Sequence, residues 1–243
     1  MNAVITGANR GIGRAMVEAF AEKGYGIWAC ARKKNDEFEA DMSGLAEKFS
    51  VEVEPVYFDM SDEAQIKDGA KHILSAKRSI DVLINNAGVA HGGSFLSVSQ
   101  DKLREIFQMN VFSQVLLTQL LVRAMIRQKS GCVINMCSAG GLDPQPGCLS
   151  YGASKATMIY ITKVEAREFA PFNIRVNALA PGLIDTEMGH YKNDVEIQKT
   201  LNRMCIKHMG SVKDVADAAL YIAGAEFMTG HILTLDGGHV IGG

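Results

Sequence analysis

Thr6-Gly7-Ala8-Asn9-Arg10-Gly11-Ile12-Gly13 lies almost at the first residue, between an apolar run at 2–5 and a stretch at 14–23 where apolar and charged positions alternate at helical spacing. The run suits a buried parallel strand and the stretch a helix, so the glycines fill a strand-to-helix turn. At such a turn Gly7 lets the backbone reverse tightly. Gly11 and Gly13 remove side chains that would keep a diphosphate from the free N–H groups and positive dipole end of the following helix. The expected ligand is a dinucleotide. Glycine clusters also mark ordinary turns and helix caps, so the rest of the chain has to decide.

Working outward, Gly24-Tyr25-Gly26 turns the chain into a second apolar strand at 27–31, whose end should lie near the adenosine ribose. An acid there would accept hydrogen bonds from a free 2′-hydroxyl. This chain instead follows Ala31 with Arg32, Lys33 and Lys34. Such a cluster attracts a 2′-phosphate, each charge-assisted contact contributing ~1.5–3 kcal/mol. NADP(H) is therefore expected over NAD(H), with Arg32 the contact and Lys33 and Lys34 facing solvent.

Strand and helix periodicities then alternate to the end of the chain. Helices are expected at 41–49, 62–77, 103–129, 151–169 and 212–223, strands at 51–58, 81–85, 132–137, 174–179 and 232–235, and a polar, partly helical segment at 187–207. This alternation predicts an α/β fold, a Rossmann-type doubly wound parallel sheet of about seven strands with helices on both faces. At 243 residues and 47% hydrophobic content, one domain over 1–243 can bury a sufficient core.

A formal charge of -2, with lysines and arginines scattered among acids, gives no basic field for nucleic acid or an anionic membrane. Cys30, Cys132, Cys137, Cys148 and Cys205 are odd in number and lack C-x-x-C spacing, so neither a disulfide framework nor a metal site is expected. The chain enters a strand directly after Met1 with no export signal, which fits a reducing cytoplasm. The apolar-rich stretch 111–126 is interrupted by Ser113, Gln114, Thr118, Gln119 and Arg123, which disfavours a membrane span.

Tyr151 and Lys155 stand four apart where a helix begins, so both can reach one ligand. An ammonium ~4 Å from a phenol at an effective dielectric of about 20 contributes ~4 kcal/mol, enough to bring the phenol toward neutrality before desolvation is subtracted. Ser138 lies thirteen residues upstream at a strand end, and Asn110 sits inside the long helix before it. Asparagine is a mediocre helix former, which points to a buried hydrogen-bonding task.

Taken in order, the T-G-x-x-x-G-x-G turn, Asn85-Asn86-Ala87-Gly88, Ser138, Y-x-x-x-K at Tyr151 and Lys155, P-G-x-I-x-T from Pro181 to Thr186 and T-G-x-x-L-x-L-D-G-G ending at Gly238 resemble the short-chain dehydrogenase/reductase family. The resemblance covers essentially the whole chain and is nearest to 3-oxoacyl-[acyl-carrier-protein] reductase-like members. It implies that Tyr151 donates a proton to a carbonyl oxygen, that Ser138 hydrogen-bonds the same oxygen, and that Lys155 lowers the tyrosine pKa and binds the nicotinamide ribose. Asn110 would hold a water linking Lys155 to a proton relay. Gly7, Asn9, Arg10, Gly11, Ile12 and Gly13 would cradle the cofactor, with Arg10 beside the 2′-phosphate. Asp59 would bond the adenine amino group, or else support the helix start at Ser61-Asp62. Asn86, Ala87 and Gly88 would lie along the cofactor, the small residues letting the backbone pass it and the asparagines, Asn85 and Asn86, bracing the central sheet, while Pro181, Gly182, the Ile184 backbone and the Thr186 hydroxyl anchor its carboxamide.

The same resemblance makes 187–207 a substrate lid, with Met188, Met204 and Met209 as an adaptable wall or as packing, and 103–129 with 151–169 the four-helix contact of a homotetramer. The implied substrate is a ketone, among them an acyl thioester. However, Pro171-Phe172-Asn173 stands where those reductases carry an arginine to dock the acidic carrier, and Lys129 is basic but not arginine. A sugar, steroid, polyol or xenobiotic carbonyl therefore stays open. So does a non-catalytic NADP(H)-binding sensor, although Asn110, Ser138, Tyr151 and Lys155 are all present. His91 is expected in a loop near the site, facing solvent. The connection at 223–227 is shorter than usual for the family.

Overall fold

The computed structural model describes residues 1–189 and 194–241. Seven strands, β1 (Asn2–Thr6), β2 (Gly26–Ala31), β3 (Val53–Tyr57), β4 (Val82–Asn85), β5 (Gly131–Met136), β6 (Ile174–Pro181) and β7 (Ile232–Leu235), form one sheet in the order β3-β2-β1-β4-β5-β6-β7. Every pairing is parallel. The helices are α1 (Gly11–Glu22), α2 (Asp36–Phe49), α3 (Glu63–Ser75), α4 (Gln100–Phe107), α5 (Ser113–Gln128), α6 (Leu149–Phe169), α7 (Asp194–Arg203) and α8 (Val212–Gly224).

Strand side chains alternate between two cores, as period two requires. Ala3, Ile5, Ile27 and Ala29 pack with Met16 and Phe20 of α1, Met42 of α2 and Val215 of α8. Val4, Trp28 and Cys30 face the other way, onto Ile66 of α3 and Leu117 and Leu121 of α5. The doubly wound sheet with helices on both faces is thus observed.

Several boundaries differ from expectation, and three of the differences have a local reason. Helix α2 starts at Asp36 rather than 41, because the Asn35 side chain accepts from Glu37 N and Phe38 N, and Asp36, Glu37 and Glu39 complement the helix dipole. These acids hide the helix from apolar periodicity. The expected helix at 103–129 is divided into α4, a π-helical turn at Gln108–Phe112 and α5. Strand β6 runs on to Pro181: Ala178 N and Gly182 N point to β7, so the missing proline N–H faces the β5 side, where pairing has already ended at Met136 and Leu179.

The stretch Gln100–Gln128 is long and apolar enough to cross a membrane by length and composition, yet half of its most apolar window is buried within the fold. Its apolarity serves packing. The short connection after α8 is held by Arg175, which donates to the carbonyls of Ile222, Ala223 and Met228 at 3.0, 2.6 and 3.2 Å. Of the expected lid at 187–207, residues 190–193 lie outside the described residues, as do 242–243 of the expected 1–243 domain.

Candidate active site

Strand β1 lies between β2 and β4, so the chain winds away from it in both directions and leaves a crevice at the carboxyl ends of the strands. A cleft of ≈ 720 Å³ occupies that position. It is lined by Gly7, Asn9, Arg10, Gly11, Ile12, Gly13, Arg32, Asp59, Asn86, Ala87, Gly88, Ser138, Tyr151, Lys155, Pro181, Gly182, Ile184 and Thr186, so nearly all the expected site residues converge there. Asn110 stands just behind the wall.

Gly7 (φ 66°) and Gly11 (φ 54°) occupy the left-handed region that glycine alone enters freely. A Cβ on Gly11 would reach across to Thr186 Cγ2 at 3.5 Å. Gly13 has a packing role. It lets α1 press on the turn, because a Cβ there would collide with the Gly7 carbonyl oxygen and lie 2.7 Å from Asn86 Nδ2. Helix α1 begins with no side-chain cap from Arg10, so its first N–H groups remain available to an anion.

Thr6, not singled out in the sequence, holds the turn to the loop after β4. Its hydroxyl donates to Ile84 O at 3.2 Å and accepts from Asn86 N and Ala87 N, both at 2.9 Å. Asn86 Nδ2 donates to Thr6 O at 2.9 Å, and Gln114 Nε2 donates to Ala87 O at 2.6 Å. The position of Thr6, last in β1 and next to the glycines, was the available signal. Asn85 braces the sheet as expected, donating to Thr118 Oγ1 and Asn135 Oδ1 at 2.8 and 2.9 Å.

At the β2 end of the cleft Arg32 is exposed, while Lys34 pairs with Glu39 at 3.2 Å and Arg10 pairs with Glu187. Asp59 does not cap α3, since Asp62 does so by accepting from Ala64 N and Gln65 N. Asp59 Oδ1 accepts instead from Ser61 N and Ser61 Oγ at 2.8 and 2.7 Å. Those bonds, and to a smaller degree Arg32, hold its carboxyl below the ordinary value.

The other wall joins the end of β5 to the start of α6. Ser138 caps a short 3-10 turn, its Oγ accepting from Gly140 N at 3.1 Å. One turn of α6 separates Tyr151 from Lys155, and Lys155 Nζ lies 5.8 Å from the Tyr151 ring centroid. Lys155 is 4% exposed and donates to Met136 O at 2.7 Å. Burial pushes its ammonium below the ordinary lysine value, opposed by the Cys137 sulfur.

Asn110 has a bracing role. Its Oδ1 accepts from Val89 N at 2.9 Å, and its Nδ2 donates to Val89 O at 2.9 Å and Ser154 Oγ at 3.0 Å. Both amide hydrogens are thus committed to protein, and the side chain braces the β4 loop against α6 rather than standing open to solvent. The π turn, which sequence periodicity cannot register, carries it there. Gly88 fits between these groups, since a Cβ would lie 3.1 Å from Asn110 Oδ1 and 3.6 Å from Lys155 Nζ.

Thr186 Oγ1 donates to Ile184 O at 3.4 Å and accepts from Gly189 N at 3.0 Å. Met188 lines the cleft, whereas Met204 is buried with its Cε against the Gly237 turn. His91 lines the cleft instead of only facing solvent, as do Gln145, Cys148, Thr200 and His239, which sequence reasoning missed. No pattern in the sequence links these positions. No group of three or more His, Cys, Asp or Glu positioned for a metal occurs among the described residues. Chemically, one wall offers glycines and helix N–H groups to a diphosphate, and the other offers a phenol, a hydroxyl and a desolvated ammonium to a polar reaction centre.

Comparison with known proteins agrees. A family model described as short chain dehydrogenase matches residues 1–197. The chain is 34% identical over 242 residues to the 3-oxoacyl-[acyl-carrier-protein] reductase FabG of Thermotoga maritima, covering 98% of this chain and 97% of that one. Among solved structures it resembles a short chain dehydrogenase from Burkholderia cenocepacia in complex with NADP (TM-score 0.90, 27% identity, 98% and 97% of the two chains). It also resembles a 3-oxoacyl-[acyl-carrier protein] reductase from Brucella melitensis with bound NAD (TM-score 0.85, 27% identity, 98% and 90%).

Proposed function

The chain belongs to the short-chain dehydrogenase family of oxidoreductases, and on that premise we propose that it is an NADPH-dependent reductase converting a ketone to a secondary alcohol. The observation that carries this reading is the buried Lys155 ammonium, held on Met136 O beside the Tyr151 ring in a cleft shared with Ser138. The cleft fits a dinucleotide: the uncapped start of α1 suits the diphosphate, Gly11 keeps a side chain out of the space facing Thr186, and Gly7 and Gly88 let the turn and the loop after β4 pack closely at its edge. When bound, the nicotinamide supplies hydride.

The chain's own residues do the rest. Tyr151 gives its phenolic proton to the carbonyl oxygen, and Ser138 hydrogen-bonds that oxygen as charge develops. Lys155, positive and poorly solvated, favours the phenolate left behind. Asn110 acts as a positioning residue, fixing Val89 and Ser154 on either side of the reacting groups. Preference for the 2′-phosphorylated cofactor is supported by exposed Arg32 and by Ala31 in place of an acid at the end of β2. Exposed Phe112, in the π turn before α5, and Tyr160 and Val164 of α6 support burial of these faces in a homotetramer.

Steady-state oxidation of NADPH and NADH with a panel of acetoacetyl thioesters, sugars and simple ketones tests the assignment. Turnover with NADPH and at least one ketone is expected. Saturable NADPH binding without oxidation by any carbonyl would favour a sensor instead.

A further inference from the structure

An acidic side chain is out of place in a cleft shaped for phosphates, because it repels the ligand unless its charge is met. Among the described residues lining the cleft, two are acids, Asp59 and Glu187. Asp59 is committed to Ser61. Glu187, one residue past Thr186, pairs through Oε2 with Nη1 of Arg10.

That pair spans the crevice. Arg10 stands in the glycine turn after β1 as the N-cap residue of α1, whereas Glu187 follows β6, and β4 and β5 lie between those two strands. The neighbouring residues face each other as well, since a Cβ on Gly11 would come within 3.5 Å of Thr186 Cγ2. The Arg10 side chain gives α1 no cap, so the helix start keeps free N–H groups for a phosphate, and the guanidinium next to them in the chain is the one that Glu187 holds. A phosphate seated there and the Glu187 carboxylate would repel each other across that guanidinium, which makes them alternatives. Exposure of 70% for the Arg10 side chain and 75% for that of Glu187 keeps the pair weak enough to be exchanged.

We propose that Glu187 sets cofactor affinity by holding Arg10 in the free protein, so that a cofactor phosphate binds Arg10 only by displacing it. The proposal rests on the dinucleotide reading above and names a residue acting on that same site. The 2′-phosphate and the diphosphate present the same chemistry to a guanidinium, and NADPH and NADH tell them apart.

The test is the Kd of NADPH and of NADH, by fluorescence titration, for the wild type, Glu187→Gln, Arg10→Gln and the double variant. Glu187→Gln is expected to tighten binding by about two- to fivefold, the range of an exposed ion pair. Tightening of NADPH alone identifies the 2′-phosphate as the competitor, and tightening of both cofactors identifies the diphosphate. In the Arg10→Gln background the same substitution should leave Kd unchanged. An unchanged or weaker Kd in Glu187→Gln overturns the proposal while leaving the dinucleotide reading intact. So does an equal tightening with and without Arg10, which would show a carboxylate acting on the phosphates directly rather than through the guanidinium. A wild type that binds neither cofactor would remove the dinucleotide reading and the proposal with it.

Discussion

Lys155 Nζ donates to the carbonyl oxygen of Met136 at 2.7 Å, tying the second turn of α6 to the last residue of β5. The bond fixes an ammonium in a place where burial opposes its charge. For a core residue this would be poor design, since a buried cation stabilises a fold only when well paired. Lys155→Met relieves the desolvation and loses the bond to Met136, so stability should change by less than about 2 kcal/mol, while kcat falls at least ~10²-fold. Thermal denaturation and steady-state kinetics on the same preparation check this. A variant that is fully active, or inactive only because it is unfolded, would contradict it.

The glycines separate into those the fold requires and those it does not. Gly13→Ala forces a Cβ into the Gly7 carbonyl and should destabilise the protein by roughly 1–3 kcal/mol and weaken cofactor binding. Gly44→Ala, inside α2 with nothing within 4 Å of the new methyl, should stabilise it by ~0.4–1 kcal/mol. Opposite shifts in denaturation midpoint are the expected outcome, and equal shifts would count against the packing argument.

Much of this was legible in the sequence because strand and helix periods differ and the site residues stand at strand ends or helix starts. Thr6-Gly7 follows a strand, Ser138 ends one, and Tyr151 and Lys155 share one helix face. What was not legible depends on contacts between distant segments. Asn110 reads as an odd residue in a long helix, and only the π turn shows that both its amide hydrogens are committed to Val89 and Ser154. Gly13 reads as a phosphate glycine, and only the fold shows how closely Gly7 and Asn86 pack against it. Asp143, Arg203 and His239 meet across nearly a hundred residues of chain, from three segments with no common pattern.

Arg32 stands exposed at the end of β2 beside the cleft. Arg32→Asp replaces a group that attracts a 2′-phosphate with one that accepts from a 2′-hydroxyl, so kcat/KM with NADPH should fall roughly ten- to a hundredfold relative to NADH. An unchanged cofactor ratio would take this residue out of the selectivity account.

Glu165 lies at the far end of the buried network through Asn135, whose Nδ2 donates to it at 2.8 Å. Burial pushes its carboxyl up to about 7 from an ordinary 4.5, with the Asn135 bond opposing and Glu168 adding to the rise. The native state thus holds this proton longer than the unfolded chain does. Its contribution is fully present below about pH 4.5 and is lost as the pH rises through about 7, a change of roughly 3 kcal/mol. Glu165→Gln keeps an acceptor for Asn135 and abolishes the titration. The difference in unfolding free energy between variant and wild type should grow in the variant's favour from pH 5 to pH 8. Parallel stability curves would contradict the assignment.

The most direct measurement is Tyr151→Phe, assayed for NADPH oxidation with the best ketone and for NADPH affinity by fluorescence titration. With its phenolic oxygen removed and the ring kept, the protein should bind NADPH within about threefold of wild type while turnover drops by ~10²–10⁴-fold. A variant that turns over at a rate near wild type would show that the proton comes from elsewhere and that Lys155 is buried for some other reason.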